Sequence, residues 1–91
     1  MPKFIIERNI PGLGKLGAEE LRRIAQRSNS VVYDLGPNIQ WVESFVTADK
    51  MYCVYIAPNA ELIRLHARCG AFPCDDVAQI REIIDPVTGG A

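Results

Sequence analysis

The sequence predicts an α+β domain with the element order β-α-β-β-α-β, and three observations carry that reading. A hairpin occupies the middle of the chain. In it Ile39–Val46 leads through the polar turn Thr47-Ala48-Asp49-Lys50 into Met51-Tyr52-Cys53-Val54-Tyr55-Ile56-Ala57, an aromatic and β-branched run stopped by Pro58. On either side of the hairpin lies a stretch with apolar residues at helical spacing. A short apolar strand opens the chain, and an apolar run near its other end supplies the partner that closes the sheet.

In chain order, Lys3–Ile10 is the first strand, with Phe4, Ile5 and Ile6 in succession before Glu7 and Arg8. Pro11 and the glycines after it break the strand. Ala18–Leu35 reads as an amphipathic helix: Leu21, Ile24, Ala25, Ser28, Val31, Val32 and Leu35 form one stripe, and Glu19, Arg23, Arg27 and Asp34 fall outside it. Gly36-Pro37 ends that helix. Asn59 is a suitable N-cap for a second helix over Ala60–Cys69, with Gly70 at its C′ position. Ala71–Asp76 is a loop. The run from Val77 to Asp85 fits both a helical and a strand period, and the need for a closing partner selects a strand at about Gln79–Ile84. Residues 1–91 thus form one domain with a frayed tail over 86–91. The order is that of ferredoxin-like proteins, with two helices on one face of a four-stranded antiparallel sheet.

Composition narrows the function. The chain has 91 residues, 48% of them apolar and 23% charged, with a formal net charge of −1, so it carries no electrostatic footprint for nucleic acid or an anionic membrane. No apolar run approaches the length of a membrane span, and Met1-Pro2-Lys3-Phe4 does not begin a signal peptide. Three cysteines, Cys53, Cys69 and Cys74, are too few for a disulfide framework and point to the reducing cytoplasm.

Four groups of residues have chemical potential. Gly12-Leu13-Gly14-Lys15-Leu16-Gly17 spells a dinucleotide fingerprint between a strand and a helix. An antiparallel hairpin follows it, however, and the chain is too short for a doubly wound sheet, so the expectation is a flexible connecting loop and no nucleotide. His66, the only histidine, lies among Leu62, Leu65 and Cys69 in the apolar stripe of the second helix. It is either a core residue bonded to backbone, Ser or Tyr, or a metal ligand or general base. Cys69 lies three residues on from His66, with Cys74 across the helix end and Cys53 on the neighbouring strand, a donor set suited to nickel or zinc. Finally, Trp41, Glu43 and Phe45 alternate onto one side of the hairpin, which makes Glu43 either a carboxylate of raised pKa or a solvated rim residue, with Glu7 and Arg8 as candidate partners.

Phe4-Ile5-Ile6-Glu7-Arg8, Trp41-Val42-Glu43-Ser44, Tyr52-Cys53-Val54-Tyr55-Ile56-Ala57-Pro58 and His66-Ala67-Arg68-Cys69-Gly70-Ala71-Phe72-Pro73 together resemble a family of small ferredoxin-like proteins. That family was once catalogued only as a domain of unknown function and is now named after a nickel-binding bacterial member. The resemblance runs over about residues 3–86. It implies a dimeric ferredoxin-like fold and nickel binding without an established catalytic reaction. By matching position His66 carries over as a ligand, with Cys53 a nearby family-typical residue. A single histidine excludes a histidine-rich nickel site.

Three functional classes follow. The first is a metal-binding protein for nickel sequestration or sensing, with donors from His66, Glu43, Cys53 and Cys69. The second is a dimeric α/β barrel that binds or transforms a small molecule, marked by a pocket at His66, Trp41 and Tyr55. The third is an assembly domain, marked by a filled core around His66. The partner expected in each case is a second copy of the chain. Val42, Val46, Val54 and Ile56 read as the helix-packing set, so Trp41 and Phe45, with Cys53 and Tyr55, would make an apolar second face that a two-fold partner covers.

Overall fold

Strand alternation sets the architecture. In the computed structural model, which describes residues 1–90, β1 (Lys3–Asn9) buries Phe4, Ile6 and Arg8 and exposes Ile5 and Asn9. β1 pairs antiparallel with β3 (Lys50–Ile56) on one side and β4 (Asp76–Ile80) on the other, and β2 (Gln40–Val46) extends the sheet to the order β2-β3-β1-β4. Helices α1 (Ala18–Leu35) and α2 (Ala60–Gly70) complete the expected βαββαβ order. Phe4, Ile6, Met51, Cys53 and Tyr55 from the sheet and Ile63 from α2 pack into one core cluster with Leu13 and Ile39. Asn59 caps α2 as expected, its Oδ1 accepting from the Leu62 amide at 3.0 Å. No helix among the described residues is long and apolar enough to cross a membrane.

The largest departure from simple alternation is in β2. Trp41 pairs with Tyr55 and Glu43 with Val54, so Val42 is an extra residue in the ladder, a β-bulge. The bulge reverses the parity of the strand. Trp41 turns to the helix-covered face with Ser44 and Val46, while Glu43 and Phe45 share the open face with Tyr52 and Val54. Trp41 and Phe45 therefore do not share a face, and Cys53 and Tyr55 belong to the buried one, at 2% exposure each.

Element boundaries also differ, most of all toward the end of the chain. The last strand is Asp76–Ile80 rather than Gln79–Ile84, because β1 offers partners only as far as Lys3, opposite Ile80, and Ile83 and Ile84 are exposed. Gly70 is the last residue of α2, and Ala71 takes the left-handed position at φ 55°. Gly70 is required there because a Cβ would overlap the Phe72 ring. Within the expected tail, Pro86–Gly89 forms an exposed 3-10 turn closed by reciprocal Asp85–Thr88 hydrogen bonds, while Ala91 lies outside the described residues.

The glycine-rich loop is tied down by hydrogen bonds. The amides of Gly12, Leu13, Gly14, Lys15 and Leu16 all donate within the protein, to Asp49 Oδ1, Ile10 O, Ala48 O, Gly12 O and Leu13 O. The amides that a pyrophosphate would need are thus already engaged. Gly12 is at φ +80°, and a Cβ on Gly14 would lie 2.8 Å from Ala48 Cα. Because that neighbour is backbone, Gly14→Ala should destabilise the fold by about 1–3 kcal/mol in urea titration, with the slope unchanged.

Candidate functional site

Between the inner face of the sheet and α1 lies a cleft of about 170 Å³. Alternation delivers Arg8, Met51, Cys53 and Tyr55 to its floor, and the α1 stripe brings Leu21, Ile24, Ala25 and Ser28 over them. The bulge adds Trp41, Ser44 and Val46, and the chain leaving α2 adds Phe72. The lining is chiefly apolar, with a small number of polar groups directed inward, the composition of a small-molecule site.

Arg8 is the decisive group. It is 1% exposed, yet among the described residues no carboxylate lies within ion-pair distance of it. Its Nη1 donates to Pro73 O at 2.6 Å and its Nε approaches Cys53 Sγ at 3.4 Å, while Nη2 is buried without a partner. The guanidinium also lies 5.2 Å from the Phe72 ring centre, and Arg27 lies over the same ring at 4.5 Å. A buried cation held only by neutral groups is costly to the fold, and such a group commonly serves a ligand.

Next to it runs a hydrogen-bonded series. Ser28 Oγ is 2.8 Å from Tyr55 Oη and 3.2 Å from His66 Nε2, and His66 Nδ1 has no partner. His66 is fully buried, its ring 4.9 Å from that of Tyr55 and stacked on Phe72 at 5.7 Å. Burial first, then the charge of Arg8, lowers its pKa from 6.5 to about 4, against an opposing hydrogen bond with the Ser28 backbone. Burial likewise raises the Tyr55 pKa, opposed first by the bond to Ser28. Both groups are therefore neutral near pH 7.

Of the residues singled out as metal donors, Cys53 and His66 face this interior, whereas Cys69 is exposed at the end of α2 and Glu43 lies on the opposite side of the sheet. Among the described residues no three His, Cys, Asp or Glu side chains are placed to share a metal ion. Glu7, considered a partner for Glu43, instead pairs with Lys50 at 3.5 Å. Arg8 and Ser28 are the residues whose role was missed. Arg8 has the parity of Phe4 and Ile6, and Ser28 falls inside the apolar stripe of α1, so both carried a signal as polar residues at buried positions.

The family described as "Nickel responsive protein SCO4226-like" matches residues 4–80 of the chain. Among solved structures, the crystal structure of SCO4226 from Streptomyces coelicolor A3(2) superimposes with a TM-score of 0.76 at 15% sequence identity, over 90% of this chain and 99% of that one. Among curated proteins no sequence matches.

Because His66 stays neutral in the fold down to about pH 4 while the unfolded imidazole titrates near 6.5, the unfolded chain binds the extra proton between those values. The stability that depends on neutral His66 is complete above about pH 6.5 and is lost as the pH falls toward 4. Urea unfolding of the wild type should therefore lose up to about 3 kcal/mol more over that window than His66→Phe does. Parallel pH profiles for the two proteins would refute the assignment.

Proposed function

This chain belongs to the SCO4226-like family of nickel-responsive proteins, and from that premise we propose that it acts as a binding protein that takes a small molecule into the cleft between sheet and α1. The observation that carries the reading is the cleft itself, apolar at Leu21, Ile24 and Trp41 and floored by a buried cation that no carboxylate among the described residues neutralises. The series Tyr55–Ser28–His66 supports recognition more directly than catalysis, since His66 Nδ1 has no orienting partner of the kind a general base uses. Three free cysteines fit a reducing compartment, and the cytoplasm is the location this reading takes.

Trp41 is the only tryptophan and lines the cleft, so its fluorescence reports occupancy. A screen of small organic molecules should find ligands that shift that emission and stabilise the fold, by about 2.7 kcal/mol at a hundredfold excess over Kd. Ala25→Phe, which fills the cleft, should abolish both effects. A screen that finds no ligand, or ligands that bind Ala25→Phe as well as the wild type, would remove the cleft as the functional site.

The family's description supports a second reading, nickel binding, with His66 and Cys53 as the donors that share the interior. Ni²⁺ titrated into the wild type and His66→Ala separates the two readings. Equal affinity removes His66 as a ligand, and a loss in His66→Ala moves the assignment from the cleft to the metal.

The proposal includes a second copy of the chain across the open face of the sheet, forming a dimeric α/β barrel. Ile5 and Phe45 are 38% and 52% exposed there, next to Tyr52, Val54 and Ile56. Covering such side chains contributes roughly 1.5–3 kcal/mol for each one fully buried, before the entropy of association is subtracted. Light scattering at low micromolar concentration should report twice the chain mass, and Phe45→Glu should reduce it to one. A folded wild-type monomer would exclude this interface.

A further inference from the structure

We infer that the cleft is built for a small organic monocarboxylate, an acid with an apolar body about the size of one aromatic ring, whose carboxylate neutralises Arg8. This rests on the reading of the cleft as a ligand site and adds the chemical class of the ligand.

Charge is the first argument. The Arg8 guanidinium is surrounded by the Pro73 carbonyl, the Cys53 sulfur, the Tyr55 hydroxyl and aromatic faces, all of them neutral. Nη2 is the guanidinium donor left without a partner, buried on a side chain that lines the cleft. Neutral ligands would leave the cation as costly as before, whereas an anion there makes a charge-assisted hydrogen bond in a poorly solvated site.

The second argument is the count of donors. Besides Arg8, Tyr55 and Ser28 line the cleft, their hydroxyls joined to each other at 2.8 Å. When His66 Nε2 donates to Ser28, Ser28 donates to Tyr55, and the Tyr55 O–H is released for an acceptor in the cleft. One guanidinium nitrogen and one hydroxyl match the two oxygens of a carboxylate. Phosphate and sulfate carry more charge and more oxygens than these donors satisfy, so they would lose more hydration than the site returns.

Size and lining give the rest of the ligand. A cavity of about 150 Å³ accommodates benzene, and this one is about 170 Å³, with Leu21, Ile24, Trp41 and Met51 as its apolar walls. Long acyl chains exceed that space.

Benzoate is the probe, with benzamide as its neutral counterpart of the same shape and inorganic phosphate as the polar anion. Trp41 fluorescence and calorimetry should show benzoate binding to the wild type, benzamide and phosphate at least tenfold weaker, and Arg8→Met weakening benzoate roughly ten- to a hundredfold. Arg8→Met exchanges a buried unpaired cation for an apolar chain of similar length, so it should remain folded. Should it not, Tyr55→Phe supplies the second arm, with benzoate weakened several-fold and benzamide, which accepts a weaker uncharged hydrogen bond, weakened less. If benzamide binds as well as benzoate, or Arg8→Met retains benzoate affinity, the carboxylate assignment is overturned while the cleft remains a ligand site. If no probe binds and no neutral molecule does so either, both fail together.

Discussion

The burial of Arg8 is the constraint on which the surrounding structure depends. It sits at the sixth position of a seven-residue central strand, where the parity that buries Phe4 and Ile6 leaves its side chain no route to solvent. The loop after α2 is arranged around it. Pro73 O accepts from its Nη1, the Asp75 amide bonds to Glu7 O on the same strand, and Phe72 lies beside the guanidinium. Gly70 is what allows Phe72 that position. The charge then contributes to keeping His66 neutral, so a single side chain on β1 influences both the path of the loop and the protonation of the helix that precedes it.

The fold was largely legible because its elements are patterned locally. α1 was readable from Ala18 to Leu35 by its stripe, and α2 began at a capping asparagine. β4 was displaced in the reading because Val77 to Ile84 contains more apolar residues than the sheet can pair, and only the length of β1 decides which are used. The face assignment of the hairpin failed for a different reason. A bulge has no local sequence signature in Trp41-Val42-Glu43, and one inserted residue exchanges the environments of everything before it. The site was legible in part: His66 was expected in the apolar stripe of its helix, but Tyr55 was assigned to the outer face, and Ser28 and Arg8 acquire meaning only when strand and helix are brought together.

Membership in the nickel-responsive family and a backbone shared with SCO4226 at 15% identity show how far the scaffold can be retained while side chains change. The scaffold constrains where inward-facing residues meet, at the centre of β1 and β3 beneath α1. What they do there is set by their chemistry, which in this chain is a cation, two hydroxyls and a neutral imidazole in apolar surroundings.

The bulge at Val42 has a consequence beyond the face it assigns to Trp41. β2 is an edge strand, and the outer side of an edge is a row of free amides and carbonyls on which another chain can assemble by strand addition. An extra residue interrupts the regular spacing of that row near its start. The opposite edge, β4, is only five residues long. Both open ends of the sheet are therefore poor templates for runaway polymerisation, which protects a small chain whose central strands, rich in isoleucine, valine and tyrosine, have the composition of aggregating peptides.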